Sequence, residues 1–539
     1  MDSIKNNAAC LAFCLVAAAI LSYHFLKEAP PAFPLDDAYI HLTYARNLAD
    51  GHGFAFNKGE PSFGTTSPLW VILLASLIRW VSPVWLVRII SFFSLALTFY
   101  LCVLIAARTR ISELGPLLTN SLKEHHSDDP GVFFSLQCVV ALSVFGNFAW
   151  ISYSGMEAIF WTMLVLASIY LLVREKPAWA GYIILGLSAL CRFEAILLIA
   201  LILLWQMVWA RDWKKIIGGG LIAVVLALSF YLYAHFAFGT FFPTTRTGKL
   251  ASDLFNSGIS LKGGWDFLIR HLHYLRIAEP FALAALVFVL IGQVVWVVLE
   301  RPEKKKIGAF GVSVIFTVLV FLYHDQFFRS TATITPYHNF RYQILFFPAL
   351  AIAEMLIFAE LIWVLEKTWS RAMVSIIFIL LIAGSGVWEF SHWGDLYCRQ
   401  CEHIEDVHIQ AAQWARDNTK KDARIGCFDI GSLGYFSDRY VIDLGGLIDP
   451  AAHGYLREKR MGPYLKMKQA THYIELGTPG SERLMGIKKD LGNFYDMAQV
   501  ADFAGQRVPE PVTLHSWEMK IYEIRWVEEI MRFENQRRP

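Results

Sequence analysis

The sequence predicts a polytopic α-helical membrane protein with a C-terminal α/β domain, and three observations carry that expectation. The 539 residues are 55% hydrophobic and 17% charged, too apolar for one or two soluble domains and far too apolar for a disordered chain. Apolar runs of about 15 to 25 residues, each able to cross roughly 30 Å of hydrocarbon, recur from residue 8 to residue 391. After residue 392 the pattern changes to short alternating segments broken by turn residues, as strands and connecting helices of a small α/β domain do. A net charge of +2 gives no electrostatic reason for a nucleic-acid partner. The eight scattered cysteines do not form a disulfide framework.

Along the chain, spans are expected at 8–26, 84–106, 132–152, 157–173, 195–211, 216–237, 280–299, 308–328, 341–366 and 372–391, with a shorter one at 180–193. The first segment also resembles a signal peptide. It lacks a strongly charged leader and a small-x-small cleavage site, so it is kept as a helix. Ser67 to Val81 is apolar but only about fifteen residues long, short for a crossing. Short basic loops, such as Arg108/Arg110/Lys123, Arg211/Lys214/Lys215 and Arg301/Lys304/Lys305/Lys306, face the cytoplasm by the positive-inside rule. With Lys5 also inside, an even number of crossings must separate Lys5 from Arg108. Residues 67–81 are therefore assigned to an interfacial or re-entrant helix on the outer face. The expected layout is about eleven spans with the N-terminus inside. Residues 1–391 form the membrane domain, 27–83 its first outer loop with interfacial helices, and 392–539 a periplasmic α/β domain.

The chemistry is expected in that first outer loop. Pro34 precedes the pair Asp36-Asp37, and Ile40, Tyr44 and Leu48 recur as an apolar stripe. This pattern predicts a helix that opens near Asp36 and lies on the membrane surface, ended by Gly51 and Gly53. Neighbouring helical residues point about 100° apart, so the two carboxylates cannot face one atom equally. One is expected to act on substrate while the other orients or caps. His41 shares a face with Asp37 at i+4. A plainer alternative makes Asp36 the N-cap and Asp37 a first-turn carboxylate favoured by the helix dipole.

The Asp pair, followed by Tyr44-Ala-Arg46-Asn47-Leu, Gly51-x-Gly53 and Phe56-Asn-x-Gly59-Glu60, resembles the polyprenyl-phosphate-sugar-dependent glycosyltransferases of the GT-C superfamily. Within it the likeness is to the mycobacterial terminal arabinofuranosyltransferase group. Further stretches match that group: Ser154-Gly155-Met156-Glu157, Arg192-Phe193-Glu194, Phe238-Gly239 through Lys249, Asn339-Phe-Arg341-Tyr342, Asp429-Ile-Gly-x-Leu-Gly-Tyr, and Val441-Ile-Asp443 through Asp449-Pro450. The likeness covers most of the chain. It implies a GT-C-like fold in a bacterial inner membrane, with Asp36 and Asp37 catalytic.

Each matching stretch before the C-terminal domain falls at an outer end of an expected span. His41, Arg46, Glu157, Arg192, Glu194, Arg246, Lys249, His338 and Arg341 are accordingly the candidate substrate-binding residues around one outer cavity. The alternative for Glu157 is a helix N-terminal carboxylate, and for Arg192 with Glu194 a mutually neutralising pair. The implied partners are a polyprenyl-phosphate-linked sugar, a glycan or glycoconjugate acceptor and the lipid bilayer. The sugar is a candidate arabinofuranose.

No cofactor is required by the sequence, although some members of the superfamily use a divalent cation and one Asp pair with Glu157 leaves that open. Cys398-Arg-Gln-Cys401 near His392, His403 and His408 admits zinc, a local disulfide or two thiols. A transporter or flippase of lipid-linked sugars is the competing expectation, and its mark would be ionisable residues within the spans.

Overall fold

The computed structural model describes residues 2–114, 139–143, 145–172, 178–209, 212–251, five positions between 269 and 276, and 279–300, then 341–363, 368–477, 486–489, 495–505 and 518–526. The expected span at 308–328, the opening of the one at 132–152, and His338 lie outside these residues.

The helical part begins with α1 (Asp2–Leu26), α2 (Asp37–Ala49), α3 (Pro68–Leu77), α4 (Pro83–Leu114), α5 (Gly146–Tyr153), α6 (Ala158–Leu172) and α7 (Trp179–Cys191). It continues with α8 (Ala195–Trp209), α9 (Trp213–Phe238), α10 (Thr244–Ala251), α11 (Pro280–Glu300), α12 (Phe346–Trp363) and α13 (Thr368–His403). Among the described residues α1, α4 and α9 are long and apolar enough to cross a membrane, and α5 with α6, bent by 108°, make a fourth apolar segment. Shorter apolar helices, α3, α7, α8, α11 and α12, pack with them. Large apolar side chains such as Ile20, Leu204, Ile217, Phe236 and Val387 point outward. Water would not tolerate so much exposed apolar surface, whereas lipid covers it. The ten residues of α3 reach about 15 Å, roughly half the hydrocarbon thickness.

α13 runs unbroken for 36 residues, about 54 Å, past residue 391 where the expected span ends, and continues through a π-helical turn at Ile404–Ile409 into α14 (Gln410–Asn418). The reason lies in its buried face, since Trp393, Leu396, Tyr397, Gln400, Cys401 and Ile404 are all buried and recur at helical spacing beyond the apolar run. Trp150 Nε1 donates to Gln400 Oε1 at 2.8 Å and the Tyr397 hydroxyl donates to the Tyr153 carbonyl at 3.0 Å. One expectation is corrected here, and it concerns α2. It does not lie on a surface, because Ala38 to Ala45 and Asn47 are all buried between α3 and the C-terminal unit.

That unit is a five-stranded mixed sheet. Its elements are β1 (Arg424–Cys427), α15 (Gly431–Phe436), β2 (Tyr440–Asp443), α16 (Ala452–Arg457), α17 (Met461–Met467), β3 (His472–Gly477), β4 (Tyr495–Ala504) and β5 (Glu518–Trp526). The order is β2-β1-β3-β5-β4. β1 pairs in parallel with both β2 and β3, and β5 runs antiparallel to β3 and β4. Parallel neighbours need crossover connections, and α15 is the crossover from β1 to β2. It is the element that meets α2.

Candidate active site

The two aspartates part company at the first turn of α2. Asp36 is 7% exposed and turns toward the sheet unit. Its Oδ2 accepts from the Gly431 N–H at 2.6 Å and its Oδ1 from the Ser432 N–H at 2.7 Å. His408 Nδ1 stands 3.6 Å from Oδ1. Asp36 thus caps a helix, but that helix is α15 and not its own, where it makes no side-chain cap. A Cβ at Gly431 would collide with the Asp36 backbone and carboxylate, so the close approach requires glycine there. Burial by itself would raise the Asp36 pKa; His408 and the Ser432 donors reverse this and hold it below the ordinary aspartate value. Burial would lower the His408 pKa, but Asp36, with Asp429 nearby, raises it above the ordinary histidine value. The two share one buried ion pair.

Arg46, three turns along α2, holds the other end of the same helix. Its Nη1 and Nη2 donate to the Tyr435 and Gly434 carbonyls at 2.5 and 3.1 Å, and the guanidinium sits 4.7 Å over the Tyr435 ring. A carboxylate at the N-terminus of α15 and a cation at its C-terminus both complement the helix dipole. Arg46 is therefore engaged in docking, away from the substrate-binding set in which the sequence placed it. Asn47 closes the loop beneath, donating to the Ala55 and Phe56 carbonyls at 3.0 and 2.8 Å.

Asp37 faces the helical part. Its side chain is 30% exposed and Oδ2 accepts from Arg341 Nη2 at 2.7 Å. The Arg341 guanidinium is 4% exposed, also donates to the Tyr342 hydroxyl at 3.0 Å, and lies against the Tyr342 ring. One helical turn on, His41 is buried, with Nδ1 2.8 Å from Thr65 Oγ1 and Nε2 3.6 Å from Glu157 Oε2. Burial outweighs the nearby Glu157 and Asp37 charges and lowers its pKa, so the imidazole is neutral at pH 7.

Glu157 Oε1 is 3.5 Å from Arg192 Nη1, and Arg192 Nη2 donates to Glu194 Oε1 at 3.1 Å. Arg192 is stacked between the Trp161 and Tyr342 rings, each 5.1 Å away, and reaches the Arg341 carbonyl at 3.4 Å. Gly155, at φ +85°, makes the bend between α5 and α6 that delivers Glu157; a Cβ there would strike Ala38 and Phe33.

Asp37, His41, Glu157, Arg192, Glu194 and Arg341 therefore form one connected cluster from four separated segments. Arg246 flanks it on α10, stacked on Phe193 and Phe242 at 5.8 and 4.7 Å. Lys249 lies on the same helix, and its side chain is outside the described residues. Thr65, Trp161 and His408 were not singled out as site residues by the sequence. Thr65 carries no pattern of its own, and His408 stood among histidines that invited a metal reading. Cys398 and Cys401 are both free thiols. Among the described residues no three His, Cys, Asp or Glu side chains are grouped to hold a metal ion.

A family described as a domain of unknown function (DUF8728) matches residues 399–517. No curated protein matches the sequence. Among solved structures the chain is similar to ArnT from Cupriavidus metallidurans bound to undecaprenyl phosphate, at 11% identity and a TM-score of 0.55 over 95% of this chain and 97% of that one. The chain thus has the fold of ArnT: a helical membrane protein with a C-terminal sheet domain.

Proposed function

We propose that the protein is a GT-C-type membrane glycosyltransferase that transfers a sugar from a polyprenyl-phosphate donor to a glycan or glycosylated acceptor on the outer face of a bacterial inner membrane. The N-terminus is cytoplasmic in this reading and the sheet domain periplasmic. The observation that carries it is the partly open Asp37–Arg341 pair above a buried acid–base network, in a fold shared with a protein whose structure holds undecaprenyl phosphate. Arabinofuranose is the sugar of first choice, from the resemblance of the first outer loop alone.

The chemistry follows from the pair. A donor phosphate competes with Asp37 for Arg341, since both are anions to which a planar guanidinium can donate in two-pronged fashion. Binding of the donor then releases the Asp37 carboxylate, which accepts the proton of the acceptor hydroxyl. The hydroxyl oxygen forms the new bond to the anomeric carbon as the bond to phosphate breaks, and the electron pair leaves with the polyprenyl phosphate. Arg341, with Arg246 beside the cluster, stabilises that leaving charge, and Lys249 is a further candidate for the same role. Glu157 and Glu194 fix Arg192, whose ring contacts position Tyr342 and with it Arg341. Asp36 and His408 hold α2 in register from behind.

A transporter of lipid-linked sugars is the second reading, and one observation favours it. Glu354 on α12 and Glu389 on α13 are buried carboxylates within the helical bundle, and Glu279 at the head of α11 is another, accepting from the Asn147 N–H at 2.6 Å. The test is to incubate protein in nanodiscs with a panel of polyprenyl-phosphate sugars, arabinofuranose included, and a mixed glycan acceptor pool, following products by mass spectrometry. Transfer by wild type and not by Asp37→Asn supports the enzyme. No transfer from any donor, with accelerated movement of the lipid-linked sugar across vesicles, would replace it with the transporter.

A further inference from the structure

A polar cavity lies where the first outer loop meets the sheet unit, and none of the acid–base cluster residues lines it. Its volume is about 140 Å³, and it is lined by Glu60, Pro61 and Ser62 from the loop and by Tyr440, Asp449 and Lys468, among others, from the sheet unit. At about 30 Å³ per water it holds roughly five waters, the space of a single sugar ring. Its walls are fixed by the Asn57 side chain, which both donates to the Val441 carbonyl at 2.9 Å and accepts from the Val441 N–H at 3.0 Å.

We infer that this cavity is a binding subsite for one neutral sugar unit of the acceptor glycan; the assignment to an acceptor rests on the transferase reading above. Two carboxylates and one ammonium line it, so the local charge is negative and disfavours a phosphate or an acidic sugar. Each charge is already partnered by another wall residue. The Tyr440 hydroxyl donates to Glu60 Oε2 at 2.7 Å; the Tyr464 hydroxyl donates to Asp449 Oδ2 at 2.8 Å; Lys468 Nζ lies 2.5 Å from the same oxygen. Such pairs leave each carboxylate spare lone pairs, and they place donors and acceptors side by side, as adjacent sugar hydroxyls require. Pro61, Pro450 and Ile448 add apolar surface for the C–H faces of a ring. Polar groups in convergent pairs over an apolar floor are the general form of a small-molecule site.

The cavity is also tied to the acid–base cluster. Ser62 lines the cavity and Thr65 touches His41; three residues of extended chain span at most about 11 Å. The Tyr44 hydroxyl pins this connector, lying 2.7 Å from Ser62 Oγ and accepting from the Gly64 N–H at 2.8 Å. The cavity and the His41 end of the acid–base cluster are therefore joined by one short connector.

Saturation-transfer NMR on the full chain in nanodiscs, with a panel of neutral methyl glycosides and disaccharides as probes, tests the assignment. Saturation of ring protons is expected for at least one neutral glycoside with wild type and with Asp37→Asn. A reduction of at least about fivefold is expected in Glu60→Gln and in Lys468→Met, each with an unchanged melting curve. Retention of binding in Asp37→Asn separates this site from the transferase reading, which can fail without affecting it. Absence of saturation for every probe with wild type overturns the subsite. So does binding lost in Asp37→Asn and kept in both cavity variants, which would place the sugar at the acid–base cluster.

Discussion

Asp36 and Asp37 are adjacent in sequence and alike in chemistry, yet they belong to two regions of opposite character. On one side of α2 the environment is closed: Asp36, with His408 3.6 Å away, and Arg46 grip the two ends of α15 through charge-assisted hydrogen bonds. On the other side Asp37 stays partly open to solvent and its partner Arg341 is an arginine a phosphate can take over. A single residue step, about 100° around the helix, is enough to divide a carboxylate that fixes architecture from one that is available for a reaction. Neighbouring charges alone do not define a site; what each carboxylate is already bound to does.

The sharpest way to break the comparison is to neutralise each aspartate in turn. Asp37→Asn is expected to lower transfer by about 10³-fold or more, the scale of removing a positioned acid–base group, while leaving hydrogen-exchange protection of Gly431–Phe436 unchanged. Asp36→Ala is expected to do the reverse first. It leaves the Gly431 and Ser432 N–H groups and a buried His408 without their carboxylate, a loss of about 3–5 kcal/mol by analogy with broken buried ion pairs. Protection across α15 should collapse accordingly, and any loss of activity should follow from that. Equal loss of protection in both variants would show that the two carboxylates are one structural unit, and the distinction drawn here would fail.

A smaller effect sharpens the open side. Arg341→Lys keeps the charge but loses the planar fork and the contact with Tyr342, so the KM for a polyprenyl-phosphate donor is expected to rise about tenfold, worth about 1.4 kcal/mol, with a lesser change in kcat. The matching substitution on the closed side, Arg46→Lys, should leave donor KM where it is. A rise in KM for Arg46→Lys alone would return Arg46 to the substrate-binding residues.

Much of this was legible in the sequence because it depended on local pattern. The apolar runs locate most helices, the Asp pair marks the loop, and the i+4 spacing puts His41 beside Asp37. The bend at Gly155 that presents Glu157 was visible only as a motif. What could not be read was decided by contacts between distant segments. Nothing local distinguishes Asp36 from Asp37; the choice is made by α15, some 395 positions away. The amphipathic stripe on α2 implied one buried face, and the sheet unit buries the other. Hydropathy stops near 391, where the expected span ends, while the buried helical face of α13 goes on to Ile404 through Trp393, Tyr397 and Gln400.

The smallest effect concerns pH, and it separates the two sides again. His408 has a raised pKa in the folded chain, so its contribution to the closed side is fully present below the unfolded histidine value and is lost as pH rises through the folded one. Asp36 has a lowered pKa, so its contribution is present above the unfolded aspartate value and is lost as pH falls through the folded one. Between those limits the ion pair is intact. Protection of Gly431–Phe436, measured by hydrogen exchange corrected for intrinsic rates, should therefore weaken a few-fold as pH climbs past the His408 range. In His408→Gln that alkaline decline should disappear, because glutamine has no proton to lose there. His41, whose pKa burial lowers, is already neutral in that range and cannot produce the decline. If His408→Gln retains it, the titrating group lies elsewhere and the Asp36–His408 pair is not what holds α15 to α2.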